Sequence, residues 1–101
     1  MVSDYRDDPE YRELIVYYLN YLRESLSTLK EDWANRDYSG IERFGHNIKG
    51  SGGVYGFHDI SELGKEMEQA AKDQDESKTG ALVEKLESVL NEKERTLSHS
   101  G

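Results

Sequence analysis

Apolar residues in the first third of the chain recur at the spacing of a helix that packs along one side of a bundle. They follow one another at alternating intervals of four and three: Ile15, Leu19, Leu22, Leu26, Leu29 and Trp33. Because an α-helix has 3.6 residues per turn, these positions form a single stripe, which Tyr11 and Tyr18 widen. The pattern predicts an amphipathic helix over about residues 9–35, and Asp8 before Pro9 suits its start.

Three shorter stripes of the same kind follow and predict helices over about residues 39–56, 59–73 and 77–97. Their inward-facing residues are Ile41, Phe44, Ile48 and Tyr55 in the second helix, Ile60, Leu63, Met67, Ala70 and Ala71 in the third, and Leu82, Leu86, Val89, Leu90 and Leu97 in the fourth. Four helices joined by short links favour an all-α, antiparallel four-helix bundle of up-down-up-down topology. We expect residues 1–101 to form this single domain, with residues 1–8 frayed or laid across the bundle and residues 98–101 loose.

Polar residues ahead of each later helix are of the types that cap helix N-termini. The candidates are Asp37 or Ser39 for the second helix, Asp59 for the third, and Asp75 or Ser77 for the fourth. Ser39 and Asp59 are each followed three residues later by glutamate, which is the spacing of a capping box. Gly56 suits the end of the second helix, and the polar run 72–80 is predicted to be a connection.

A second strip on the first helix is displaced from the core stripe and consists of Leu14, Tyr17 and Tyr21. Two interpretations remain open for it. Residues 1–8 or another helix could cover the strip, which would make it structural. Alternatively it is a docking patch, because tyrosine is favoured where one end of a side chain is buried and the other is wet.

Composition narrows the classes of function. The chain has 13 basic and 21 acidic residues, giving a net charge of −8, which argues against nucleic acid or an anionic membrane as the main partner. It has no cysteine, so disulfides, thiol chemistry and cysteine-based zinc sites are excluded. No apolar run approaches the ~20 residues of a membrane span, and the N-terminus lacks an apolar signal region. We expect a cytoplasmic monomer.

The stretch from His46 to Phe57 carries the most informative chemistry. Five glycines lie between positions 45 and 56, although the apolar residues there keep helical spacing. Each interior helical glycine loses about 1 kcal/mol against alanine, so this loss needs a reason. The reason is either close helix packing or the close approach of another molecule. A glycine-rich loop around a surface histidine is the alternative.

In a helix, His46 points about 200° away from Phe44 and therefore away from the core stripe. Lys49, Gly50 and Gly53 follow it at +3, +4 and +7, which places them on the histidine's own face. Neutral imidazole is abundant near pH 7 and can act as a nucleophile toward phosphorus. Phosphoryl transfer depends chiefly on positioning and on neutralising the phosphoryl oxygens, and Lys49 supplies one cation for that task.

The run H-x-x-K-G-S-x-G-x-Y-G, from His46 to Gly56, resembles the signature of histidine-containing phosphotransfer (HPt) domains. The resemblance extends over nearly everything from Pro9 to Leu97. It implies a four-helix bundle whose second helix carries a phosphorylatable histidine, which accepts a phosphoryl group from a receiver-domain aspartate or a hybrid sensor kinase and passes it to another receiver aspartate.

The same resemblance assigns roles to individual residues. Lys49 would contact the phosphoryl oxygens, and Gly50 would keep the access path open. Related domains carry a glutamine or glutamate on the third helix that hydrogen-bonds near the histidine, and Glu68 lies at that offset. It could equally be an ordinary solvent-facing acid. Apart from the resemblance, the docking interpretation of the second strip makes Leu14, Tyr17, Tyr21 and Gly53 our candidates for partner binding.

The resemblance also implies a carrier rather than a stand-alone enzyme. The chain offers no P-loop and no cluster to hold Mg²⁺ with a nucleotide, so we expect no cofactor of its own and Mg²⁺ only on the partner receiver domain. Glu42 and His46 are the one pair at metal-ligand spacing, without a second set. His58 and His99 are predicted to be surface residues. Lys65 and Lys72 either add positive potential near the site or lie on a solvated face.

Two alternatives to the phosphorelay carrier stay open. The domain could be the phosphate-accepting module of a chemotaxis-type kinase, phosphorylated by an ATP-binding domain. It could also be a non-catalytic helical adaptor in which the glycines allow close helix contact and His46 is incidental. The sequence does not identify the kinase, the response regulator or the pathway.

Overall fold

The computed structural model describes residues 8–99, apart from the side chain of His99. It contains four helices: α1 (Pro9–Ala34), α2 (Tyr38–Val54), α3 (His58–Lys72) and α4 (Glu76–His99). Residues 8–99 contain no strand, so the predicted all-α four-helix fold is confirmed. The expectations for residues 1–7, for residues 100 and 101, and for the side chain of His99 lie outside the described part of the chain.

Each helix packs against the next one in sequence, and α4 also packs against α1, so the helices enclose one core. The predicted inward stripes form that core; its buried apolar residues are Ile15, Tyr18, Leu19, Leu22, Leu26, Leu29, Ile41, Phe44, Ile48, Ile60, Leu63, Met67, Ala70, Ala71, Leu82, Val83, Leu86 and Leu90. Trp33, Tyr55, Val89 and Leu97 pack against it while partly exposed. Val83 is buried although the sequence stripe did not include it.

The three connections between helices share one hydrogen-bond geometry, the Schellman motif. After α2, the N–H of Phe57 donates to the Gly52 carbonyl at 2.7 Å, and the N–H of Gly56 donates to the Gly53 carbonyl at 3.0 Å. Gly56 has φ 82°, the left-handed conformation that this motif requires. The equivalent positions after α1 and α3 are Arg36 (φ 58°) and Gln74 (φ 51°), where a side chain adds a steric cost.

Three of the four predicted helix starts are confirmed, and the start of α3 is wrong in detail. Asp8 caps α1 by accepting from the Glu10 N–H at 2.9 Å. Asp37 caps α2 by accepting from the Gly40 N–H at 3.2 Å, and Asp75 caps α4 by accepting from the Lys78 N–H at 3.0 Å. Ser39 is not a cap, since it lies inside α2 with its hydroxyl donating to Asp37. Asp59 does not open a capping box either, because α3 already begins at His58.

The reason for these differences is the short connection. A Schellman turn returns the chain within three residues, so α3 starts immediately after Phe57, which has no side-chain capping bond. The polar run predicted as a connection is shorter for the same reason, since α4 begins at Glu76. Within that run Thr79 is fully buried, and its hydroxyl donates to the Asp75 and Glu76 carbonyls.

Candidate functional site

The glycines of α2 fall into two groups, and the first group brings α2 and α3 into backbone contact. A Cβ added at Gly45 would lie 2.7 Å from the carbonyl oxygen of Gly64, and one added at Gly52 would lie 2.7 Å from the Ser61 nitrogen. Gly64 makes the reciprocal contact from α3, where an added Cβ would lie 2.6 Å from the Gly45 carbonyl oxygen. Ordinary non-bonded contacts are about 3.5–4.0 Å, so these positions exclude larger residues.

Gly64 was not singled out by the sequence analysis. The sequence feature that could have indicated it is a glycine beside the inward stripe of α3, between Leu63 and Met67.

The second group leaves one face of α2 open. A Cβ at Gly50 or at Gly53 would meet no atom within 4 Å, and both residues are exposed. These are the two glycines that share the face of His46. Helix packing therefore explains Gly45 and Gly52. Gly50 and Gly53 instead leave space beside the histidine, and the close approach of another molecule there stays a prediction.

His46 projects from this open face, and its side chain is 65% exposed. Its Nδ1 lies 3.1 Å from Oε2 of Glu68, which α3 presents from the other side of the α2–α3 contact. Glu68 also accepts from Nζ of Lys49 at 2.8 Å and lies 3.8 Å from Nζ of Lys72. The structure thus brings together His46, Lys49 and Glu68, and it adds Lys72. Lys65 is exposed and forms no ion pair within residues 8–99.

The charge state of Glu68 fixes the role of the imidazole nitrogen beside it. The hydrogen bond from Lys49 holds the pKa of the Glu68 carboxyl below its ordinary value, and the contact with His46 acts in the same direction. An ionised carboxylate can only accept hydrogen bonds. Nδ1 of His46 is therefore the protonated nitrogen, and in the neutral ring the lone pair is on Nε2. Among the described residues Nε2 has no hydrogen-bond partner.

A shallow cleft adjoins the histidine and contains a residue that the sequence analysis did not consider. It is lined by Ser39, Glu42, Arg43, His46 and Glu68. Arg43 precedes His46 by three residues, which places it about one turn earlier on a neighbouring part of the same helix face. This spacing of three residues could have predicted from the sequence that Arg43 is a second cation near the histidine.

The second strip of α1 is exposed: Leu14 by 52%, Tyr17 by 70% and Tyr21 by 36%. Tyr21 is the most covered member, because its ring lies 6.4 Å from that of Phe44 in α2 and 6.2 Å from that of Tyr18. None of the four helices within residues 8–99 covers Leu14 or Tyr17, and the alternative cover, residues 1–8, lies outside that part of the chain except for Asp8. The strip borders α2 through this contact of Tyr21 with Phe44. Val54, at the end of α2, is 82% exposed and extends the set of exposed apolar residues beyond those predicted.

Other kinds of site find no support in residues 8–99. No group of three or more histidine, aspartate or glutamate residues there could hold a metal ion. None of the helices in that range is both long and apolar enough to cross a membrane. His58 is exposed at the start of α3, as predicted.

A model of the Hpt domain family matches residues 13–96 of this chain. The chain therefore belongs to the Hpt domain family, whose members are phosphocarrier modules in histidine phosphotransfer rather than catalysts. They interact transiently with kinases and receiver domains. Comparisons with curated proteins and with solved structures gave no match.

Proposed function

We propose that this protein carries a phosphoryl group on Nε2 of His46, between a sensor kinase or receiver aspartate and another receiver aspartate. The observation that carries the proposal is the geometry of His46, whose Nδ1 is held by Glu68 at 3.1 Å while its other nitrogen faces solvent. Family membership supports histidine phosphotransfer in general. What we propose beyond family membership is that His46 is the phosphorylated histidine and that the group passes between these partners.

The transfer step follows from the protonation state of the ring. The Nε2 lone pair attacks the phosphorus of an aspartyl phosphate on the partner, and an N–P bond forms as the acyl-phosphate P–O bond breaks. The partner's aspartate leaves as a carboxylate with the electron pair. The proton on Nδ1 stays in place, so the phosphorylated ring carries a positive charge that faces the Glu68 carboxylate. Glu68 favours the reactive tautomer before transfer and balances this charge afterwards.

Lys49 and Gly50 complete the proposed site. The Lys49 ammonium is 2.8 Å from Glu68, and its four-carbon stem allows it to move toward a phosphoryl oxygen as the partner docks. Gly50 leaves the approach to His46 open, as the empty space around its added Cβ indicates. Most of the remaining apparatus, including Mg²⁺, would belong to the partner receiver domain.

We infer that the receiver domain docks on the strip of Leu14, Tyr17 and Tyr21, beside the open face of α2 at Gly53. Transient partners need only a small interface, which suits a strip of a few partly exposed rings. The docking surface is supported by the exposure of these side chains and by the contact of Tyr21 with Phe44, two residues before His46. We further propose that the carrier is cytoplasmic and monomeric.

The test uses the whole chain and a panel of phosphorylated receiver domains. We expect label to appear on the wild-type protein in an acid-labile, base-stable form, which is the behaviour of an N–P bond. His46→Gln should abolish the label without changing the melting temperature, because an exposed side chain contributes little to stability. His58→Gln is the matched control, since His58 is also exposed on a helix. Label retained by His46→Gln would overturn the assignment.

A further inference from the structure

The lysines near His46 are gathered on one side of the imidazole ring. Glu68 accepts from Lys49 at 2.8 Å and lies 3.8 Å from Lys72, and the same carboxylate holds Nδ1. Nε2 is the nitrogen on the far edge of the ring from Nδ1. A phosphoryl group on Nε2 is therefore not at the ring edge that Glu68 contacts, and Lys49 reaches it only by leaving the carboxylate.

Arg43 is a further cation beside the histidine, about one turn before it on α2. It lines the cleft that His46 also lines, and its side chain is exposed. Within residues 8–99 its side chain forms no ion pair or hydrogen bond. Its positive charge acts to lower the pKa of the Asp32 and Asp37 carboxyls, which are near enough to interact electrostatically. Asp37 is already occupied by the Ser39 hydroxyl and the Gly40 N–H. The Arg43 guanidinium is thus available for a new anion.

The cleft without Arg43 would be unfavourable for a dianion. Its other ionisable walls beside His46 are Glu42 and Glu68, and both repel a phosphoryl group when ionised. A guanidinium can bind two phosphoryl oxygens at once in a fixed planar geometry, which an ammonium cannot reproduce. Residues three apart on a helix have Cβ atoms about 5–6 Å apart, within the reach of an arginine side chain.

We propose that Arg43 binds the phosphoryl oxygens of phosphorylated His46 and thereby sets how strongly this protein retains the group against its partners. The inference rests on the proposed function, because it requires phosphorylation at Nε2 of His46. It goes further by assigning a residue outside the H-x-x-K-G motif. Before phosphorylation Arg43 forms no ion pair with any described carboxylate, so its effect falls on the phosphorylated form.

The experiment compares the whole protein with Arg43→Gln, Arg43→Lys and Arg95→Gln. Arg95 is the matched control, being an exposed arginine on α4 that lies outside the cleft. Each protein is phosphorylated with phosphoramidate, in which the N–P bond to His46 forms as the donor P–N bond breaks and ammonia leaves. Each is then equilibrated with one Mg²⁺-loaded receiver domain, and the partition of label is measured.

We expect Arg43→Gln to shift the partition toward the receiver by about five- to tenfold, the effect of losing a charge-assisted contact that is partly exposed. Arg43→Lys should retain part of the effect, and Arg95→Gln should match the wild type. A ³¹P NMR titration of each phosphorylated protein gives a second readout that a merely structural role would not move. The last proton of the phosphoryl group should leave at higher pH in Arg43→Gln, because Glu42, Glu68 and His46 are unchanged and the nearby cation is gone.

The outcomes separate the two proposals. If His46 is labelled but the partition and the titration are the same in Arg43→Gln and the wild type, the role of Arg43 is wrong and the carrier function stands. If His46 takes no label from phosphoramidate or from any receiver, both proposals fail together.

Discussion

Replacing Gly50 with alanine should make this protein more stable and less active at the same time. The structure shows no atom within 4 Å of an added Cβ at Gly50, so the methyl group enters solvent without a clash. Alanine in a helix interior is favoured over glycine by about 0.8–1.0 kcal/mol. For a domain of this size that corresponds to a rise in melting temperature of about 4–8 °C.

The functional half of this prediction depends on where the methyl group stands. Gly50 is one turn after His46 on the same face, so its methyl group would project into the space through which we expect a receiver aspartate to approach. Transfer to or from the receiver should therefore slow, and Gly50→Leu should slow it further. Phosphorylation by phosphoramidate, a small donor that needs less space, should be affected less.

Gly45→Ala is the matched comparison, since Gly45 lies in the same helix but faces α3. Its Cβ would lie 2.7 Å from both the Glu68 nitrogen and the Gly64 oxygen, so the helices must separate. Overpacking of this kind costs about 1–3 kcal/mol, which offsets or exceeds the gain in helix propensity. We expect Gly45→Ala to be the less stable variant, with the His46–Glu68 contact disturbed.

Urea midpoints and receiver-transfer rates measured on both variants decide the matter. A Gly50→Ala protein that is less stable than the wild type, yet transfers normally when folded, would refute our explanation of this glycine.

Two further predictions concern surfaces away from the histidine. Tyr17→Ala should weaken receiver binding and change the free energy of unfolding by less than about 0.5 kcal/mol. Tyr18→Ala should instead cost about 3 kcal/mol or more, because Tyr18 is buried and its ring stacks on that of Tyr55 at 4.2 Å. Titration with a receiver and thermal melts check both variants, and normal binding by Tyr17→Ala would remove Tyr17 from the docking surface. Gln74→Gly should raise stability by about 0.5–1 kcal/mol, since Gln74 has φ 51° and is exposed, and a lower urea midpoint would contradict the role of its left-handed backbone.

The sequence by itself determined the helices and their inward faces, and it placed His46 on an outward face. The apolar stripes place every buried apolar residue except Val83, because burial of one helix face depends on periodicity that the chain displays directly. The position of His46 opposite Phe44, with Lys49 and Gly50 beside it, likewise follows from 3.6 residues per turn. The cap at Asp37 was among the alternatives, but the choice against Ser39 required the geometry of the preceding turn.

Only the tertiary structure decided which residues meet across helices. His46 and Glu68 are 22 positions apart, and their contact depends on how far α3 slides and rotates against α2. Gly45 and Gly64 fix that register by allowing the two backbones to touch. Helical periodicity gives the face on which a residue lies but carries no information on the axial position of one helix relative to another. The ion pair of Lys49 with Glu68, and the absence of a close partner for Arg43 within the described residues, follow from that register. The 3.8 Å contact of Lys72 with Glu68 instead follows from their spacing of four residues along α3.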